Sequence, residues 1–348
     1  MRLAALCALW LMPVSRTLSG QAMQPLTFPE LQAKMRGFQE SRILLTAVEL
    51  DLFTAVGSGA TAQEVARKAA THPRATETLL NALAAIGALS KQDNRFFNTP
   101  ATLQYLAAGS PDYARPALMH TVHLFDSWAT LTECVRQGTA VRKPGVEAQD
   151  PQWTESFIEA MHWRAQNDAA ELARIARAQD TKRMLDVGGG SGVYSIAFAK
   201  ANPELRAEVL DAEPVTRIAA RHIRAEGLED RVITRVGDLT KDEFGSGYDL
   251  ILLSAICHML DERENLDLLR RSFRALAPGG RVLIRDFILE PGRTAPPHAA
   301  IFSVNMLVNT QGGANYTEQE YASWLREACF AEIRREGADL IIGFKAGG

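Results

Sequence analysis

The run Asp186-Val187-Gly188-Gly189-Gly190-Ser191-Gly192 leaves the apolar stretch Met184 to Val187 and enters the helical stretch Val193 to Lys200. Glycines at 188, 190 and 192 let a backbone turn sharply off a buried strand and approach a ligand that a side chain would hold away. The spacing Asp-x-Gly-x-Gly-x-Gly departs from the dinucleotide fingerprint, whose third glycine comes three residues after the second. It favours a nucleoside ligand over NAD. The next apolar segment, Ala207 to Leu210, ends in Asp211, a carboxylate placed to accept hydrogen bonds from both ribose hydroxyls. A third strand, Arg231 to Val236, ends in Gly237-Asp238-Leu239, where a carboxylate and an apolar side chain suit an adenine. The cofactor-binding candidates are therefore Asp186, Gly188, Gly190, Gly192, Asp211, Asp238 and Leu239.

A second constellation carries proton chemistry. His258 lies just beyond the end of a fourth strand, Tyr248 to Ala255, on the edge of an open sheet where ligands bind. An imidazole, with an unperturbed pKa of about 6.5, is available as a base at neutral pH. Asp286 ends the core of a fifth strand, Arg281 to Leu289. With the two strands as neighbours, its carboxylate shares that edge and orients the imidazole or stabilises imidazolium. His258 and Asp286 are the catalytic candidates.

These residues need a scaffold, and the pattern supplies one. From Lys182 onward strands and helices alternate, as in an α/β, Rossmann-like, doubly wound parallel sheet with helices on both faces. The helix Glu262 to Leu276 is capped by Asp261 and stopped by Pro278-Gly279-Gly280. A helix at Thr317 to Cys329 and a terminal hairpin, Glu332 to Glu336 with Asp339 to Phe344, close the chain. A long helix, Trp153 to Ala178, precedes the sheet, after a linker at Pro144-Gly145 and Glu147 to Asp150.

The front of the chain is mainly helical. Arg42 to Val56 carries an amphipathic stripe. Helices Gln63 to Ala70, capped by Thr61, and Arg74 to Leu89 then lead to an extended Lys91 to Asn98, a winged-helix-like unit. Such units often bind DNA, but Ala75 to Ala88 has no Lys or Arg for phosphate contacts, so dimerisation is the expected use. The organisation expected is an N-terminal extension (1–22), a winged-helix dimerisation domain (23–145) and a cofactor-binding domain (146–348).

The 348 residues, 47% hydrophobic and 23% charged with a net charge of −3, describe a globular two-domain protein with no electrostatic call on nucleic acid or an anionic membrane. Cys7, Cys134, Cys257 and Cys329 are scattered, against a disulfide framework or a zinc knuckle, so a reducing, cytoplasmic setting is expected. Arg2 followed by Leu3 to Val14 resembles a secretory signal, with Ala22 as cleavage position, yet is too short to span a bilayer. Met23 offers an alternative start, and an upstream extension or tail is the preferred reading. His120, His123 and Asp126 lie on one helix face without a firm third ligand, so no metal is expected.

Leu185 to Gly192, Ile256-Cys257-His258 and Pro278-Gly279-Gly280-Arg281-Val282-Leu283-Ile284 resemble the caffeic acid type of O-methyltransferase. Asn305-Met306-Leu307-Val308 resembles its bacterial and animal members, the hydroxyindole and carotenoid O-methyltransferases among them. The resemblance covers nearly everything after residue 30. It implies an S-adenosylmethionine-dependent, metal-free homodimer that methylates a hydroxyl of a small aromatic or apolar acceptor, with His258 as general base. Met259 stands where plant members carry Asp, Asp286 replaces a Glu, and Asn315 falls where a second Glu would flank the base. C- or N-methyl transfer, and a non-transferring relative, are the alternatives within the fold. An NAD-dependent dehydrogenase and a winged-helix DNA-binding protein are those outside it. The acceptor pocket is expected from Phe157, Met161, His162, Phe302, Asn305 and Met306, a mixture of apolar bulk and a few polar groups.

Overall fold

The structure is a computed structural model that describes residues 25–141 and 151–347. The expected extension at 1–22, Met23 and the linker at Pro144-Gly145 and Glu147 to Asp150 lie outside the described residues. The described residues form two compact units that divide between Leu124 and Phe125, ahead of the boundary expected at 145/146. Residues beyond 124 belong with the second unit because they bond to its later elements: Trp128 Nε1 donates to Asn305 Oδ1 at 3.0 Å, and Ala140 N–H to the Thr310 carbonyl at 3.2 Å.

In the first unit, helices α1 (Phe28–Arg36), α2 (Phe38–Glu49) and α3 (Leu52–Val56) precede a winged unit. The amphipathic helix expected over Arg42 to Val56 is two, because Asp51 takes a left-handed φ of 53°. The winged unit contains β1 (Ala60–Thr61), α4 (Ala62–Lys68), α5 (Pro73–Ala85), β2 (Leu89–Gln92) and β3 (Arg95–Asn98), with its antiparallel strands ordered β1-β3-β2. Thr61 caps α4 reciprocally with Glu64: Thr61 N–H donates to the Glu64 carboxylate at 2.7 Å and Glu64 N–H to the Thr61 hydroxyl at 3.3 Å. The segment expected to be extended from Lys91 to Asn98 is a hairpin, turned by Asp93 and Asn94 at φ 44° and 62°. Val48, Phe53, Leu80, Leu83 and Phe96 form its core. Helix α6 (Pro100–Tyr105) follows, and α7 (Arg115–Trp128) crosses the division between the units.

The second unit is built on seven strands in the order β6-β5-β4-β7-β8-β10-β9. They are β4 (Arg183–Val187), β5 (Arg206–Asp211), β6 (Val232–Val236), β7 (Tyr248–Ser254), β8 (Leu276–Arg285), β9 (Glu332–Glu336) and β10 (Leu340–Phe344). Strands β4 to β8 are parallel; β10 runs antiparallel to both β8 and β9, forming the expected terminal hairpin. Helices α8 (Leu131–Gln137), α9 (Pro151–Ala165), α10 (Ala169–Ile175), α11 (Val193–Ala201), α12 (Glu213–Ala225), α13 (Glu262–Ala275), α14 (Pro297–Asn309) and α15 (Glu318–Glu327) complete it. The sheet is buried on both faces, so its strands read as apolar runs whose alternate residues serve two cores. Met184, Leu250, Leu252 and Leu283 join one core, and Leu185, Ile251, Leu253 and Ile284 the other.

Two further expectations are corrected. The helix expected over Trp153 to Ala178 is interrupted between α9 and α10. The fifth strand begins at Leu276, directly after α13, and ends at Arg285, so Asp286 stands just past it. The whole of α14 was not foreseen. Strand order reverses about β4, between β5 and β7, which opens a crevice at the carboxyl ends of these strands. Among the described residues no helix is long and apolar enough to cross a membrane.

Candidate active site

The glycine loop occupies that crevice. Gly188, Gly190 and Gly192 have φ of 65°, 57° and 75°, the left-handed region a side chain disfavours. At Gly188 a Cβ would also lie 2.3 Å from Ile256 Cδ1, with Leu239 Cδ2 at 3.4 Å, so β7's exit and the segment after β6 close on the loop. Gly189, which the spacing argument passed over, is as constrained: a Cβ would sit 2.7 Å from the Asp186 carboxyl carbon and 2.8 Å from Val209 Cγ1.

The acids differ in state. Asp186 is buried under the loop; one oxygen accepts from Ser195 Oγ at 2.9 Å and the other has no partner, and burial pushes its carboxyl up to about 7. Asp211 accepts from Gly190 N–H at 2.9 Å and Ala212 N–H at 2.8 Å, gripping the loop from β5, and burial raises it too. Asp238 folds back on its own turn, accepting from Thr240 N–H at 2.9 Å and Thr240 Oγ1 at 2.6 Å; these bonds and Lys241 Nζ at 2.9 Å hold it at about 2.

His258 sits on a short 3₁₀ turn, Cys257–Met259, after β7, and Asp286 directly follows β8. The parallel pairing of Ser254 with Arg285 sets the two side by side. Asp286 Oδ1 lies 2.6 Å from His258 Nδ1, and His258 N–H donates to Oδ2 at 3.1 Å. The imidazole and the carboxylate are both buried, and Phe302 meets the imidazole edge-on at 5.0 Å between centroids. Beneath them, burial and the Asp286 carboxylate push the Cys257 thiol well up. Asn265, fully buried on α13, donates to the carbonyls of Cys257 at 2.9 Å and Leu260 at 3.1 Å and so pins the turn. Sequence reasoning missed it; an amide at the fourth position of a capped amphipathic helix was the available signal. Met259 is exposed, and Asn315 donates its amide to the Ala299 carbonyl at 2.5 Å.

The six acceptor-pocket candidates fall in two groups. On α9, Phe157 packs with Ile158, Val215 and Ile218. His162 Nδ1 lies 2.8 Å from Ser191 Oγ of the glycine loop, its ring stacked 3.9 Å from His222, and burial, reinforced by His222, lowers it to about 4. Met161 is half-buried, its sulfur 3.9 Å from Arg164 Nη1. On α14, Phe302 faces His258, Asn305 is held by Trp128, and Met306 is buried. No hydrogen bond or ring contact joins His162 to His258; α9 packs against α11 and α12, and α14 against α8 and the Cys257–Met259 turn. Among the described residues no three His, Cys, Asp or Glu side chains gather to hold a metal ion.

Residues 128–331 match the O-methyltransferase domain and residues 33–108 the O-methyltransferase dimerisation domain. The chain is similar to 3-hydroxy-5-methyl-1-naphthoate 3-O-methyltransferase of Streptomyces sahachiroi, 35% identical over 305 residues that cover 86% of this chain and 88% of that protein. It is 30% identical to the tetracenomycin polyketide synthesis 8-O-methyl transferase TcmO of Streptomyces glaucescens, covering 85% and 89% respectively. Among solved structures it resembles PigF with SAH, at a TM-score of 0.85 and 27% identity, covering 92% of this chain and all of that one.

Proposed function

The chain belongs to the O-methyltransferase family, and from that premise we propose that it methylates a hydroxyl of a small aromatic acceptor with His258 as general base and Asp286 as the residue that positions it. The protein is an S-adenosylmethionine-dependent enzyme. The residues present fit that cofactor: the loop is a cradle that Cβ atoms would fill, and Asp186 keeps a buried oxygen without a partner. Gly188, Gly190 and Gly192 would let its nucleoside approach, Asp211 would take the ribose, and Asp238 with Leu239 the adenine. S-adenosylmethionine, when bound, supplies an electrophilic methyl group on a sulfonium.

What remains for the chain is to orient the acceptor and take its proton. A phenol, with pKa about 10, is a poor nucleophile while protonated. Asp286 holds Nδ1 as the donor, which leaves the lone pair on Nε2 as the base. Positioned acid–base groups of this kind contribute about 10² to 10⁴ in rate. The single observation that carries the reading is the double grip of Asp286 on His258 at the mouth of the glycine-loop crevice. Phe302 and Phe287, 4.3 Å apart beside the imidazole, suit a flat ring, as do the naphthoate and polyketide named for the two relatives. Phe157, Met161, His162, Asn305 and Met306 are the other proposed acceptor contacts. A homodimer, through the dimerisation domain, in the cytoplasm is the expected form. Incubation with labelled S-adenosylmethionine and a panel of hydroxynaphthoates and aromatic polyketides tests it: an O-methylated product supports the reading, and C- or N-methylation overturns it.

A further inference from the structure

The turn that carries His258 is held by more than Asp286. A three-residue 3₁₀ turn closes few of its own backbone bonds: Met259 N–H donates to the Ile256 carbonyl at 2.9 Å and Leu260 N–H to that of Cys257 at 3.2 Å. Asn265 reaches back from α13 with one amide nitrogen, which donates to the carbonyls of Cys257 at 2.9 Å, Leu260 at 3.1 Å and Asp261 at 3.0 Å. The Leu260 carbonyl takes a second donor, the Tyr316 hydroxyl at 2.5 Å, from the segment between α14 and α15. That segment also runs close against the turn: a Cβ at Gly313 would lie 2.4 Å from the His258 carbonyl oxygen. Asn265 and Tyr316 are both buried.

These bonds act on the backbone at both ends of the turn. Asp286 fixes the imidazole through Nδ1 and the His258 N–H through its other oxygen, but neither bond restrains the carbonyls on either side. Asn265 does so at Cys257 and, with Tyr316, at Leu260. Its own Oδ1 is buried without a partner, a cost that an apolar side chain of similar size would avoid, so packing alone does not account for an amide here. A base must stand within hydrogen-bond reach of the proton it takes, and a displacement of about 1 Å can cost about 10² in rate. We propose that Asn265 and Tyr316 are positioning residues for the transfer reaction, a two-element clamp on the Leu260 carbonyl that sets where His258 Nε2 stands in the crevice. The inference rests on the reading of His258 as general base.

Asn265→Leu and Tyr316→Phe in the full chain each remove the donors and keep most of the side-chain volume. The test measures single-turnover methyl transfer, S-adenosylhomocysteine affinity, Tm and the downfield imidazole N–H resonance of the His258–Asp286 bond, assigned by its loss in His258→Ala. Each variant is expected to lower the rate about tenfold or more, leave affinity within about twofold and displace the resonance. Tyr316→Phe, which removes a single oxygen, decides the matter if Asn265→Leu does not fold. The double variant is expected to lose less than the product of the two, because both donors act on one carbonyl. A fall in Tm with rate and resonance unchanged would make the pair a support of the fold alone and overturn the proposal. Should His258→Ala keep the full rate, the base reading falls by itself, while a displaced resonance in Asn265→Leu and Tyr316→Phe still upholds the clamp on the imidazole.

Discussion

Asp286 holds His258 twice, once through Nδ1 at 2.6 Å and once through the backbone N–H at 3.1 Å. One carboxylate therefore fixes both the turn that carries the imidazole and the tautomer of the ring. Asp286→Asn keeps the volume but loses the charge that would stabilise an imidazolium under the proposed mechanism. It is expected to lower kcat by about 10² or more while S-adenosylhomocysteine affinity is retained. Parallel loss of kcat and affinity would assign Asp286 to folding alone.

The glycine loop separates strain from clash. Gly190→Ala would meet nothing nearer than Ile158 Cδ1 at 3.9 Å, so its cost is the left-handed backbone, roughly 1–2 kcal/mol. Gly188→Ala adds a 2.3 Å approach to Ile256 Cδ1, with Cγ1 at 3.1 Å, so that side chain must shift, and it is expected to weaken S-adenosylhomocysteine binding more than Gly190→Ala. Equal affinities in the two variants, read by calorimetry, would contradict this account of the loop.

Much of this was legible because a few residue types have few physical uses. Glycines alternating after an apolar run demand left-handed turns, and the acids ending β5 and following β8 fall on the ligand-bearing edge of a parallel sheet. The capping residues Thr61 and Asp261 act as read, each paired with a Glu three residues on. What failed depended on contacts from distant chain. The stretch giving α14 is apolar on several sides and lacks a side-chain cap, so no periodic stripe marks it. His162 bonds to Ser191 and stacks on His222, contacts that spacing along α9 does not reveal.

His162 gives a pH dependence with a definite sign. Its folded pKa, about 4, lies below the ordinary value of about 6.5, because burial and the stacked His222 disfavour its charge. Below pH about 6.5 the unfolded chain takes up the proton first, so this contribution is complete above that pH and is lost as pH falls towards 4. His162→Gln should flatten the fall of Tm across that window, measured by thermal melts from pH 7 to 4. An unchanged Tm slope in the variant would refute the assignment.

The dimer reading concerns α1, where Phe28 and Met35 are 70% and 72% exposed and no residue of the helix is buried. Apolar surface of this kind marks an interaction face. The double variant Phe28→Ser, Met35→Glu is expected to halve the mass seen by light scattering; a mass that stays dimeric would place the interface elsewhere.

The most direct measurement is the single-turnover rate of labelled methyl transfer to an accepted hydroxynaphthoate or polyketide by the unaltered protein and His258→Ala, with S-adenosylhomocysteine affinity measured on both. A general base at His258 predicts a fall of at least about hundredfold with affinity intact. An unchanged rate would contradict it.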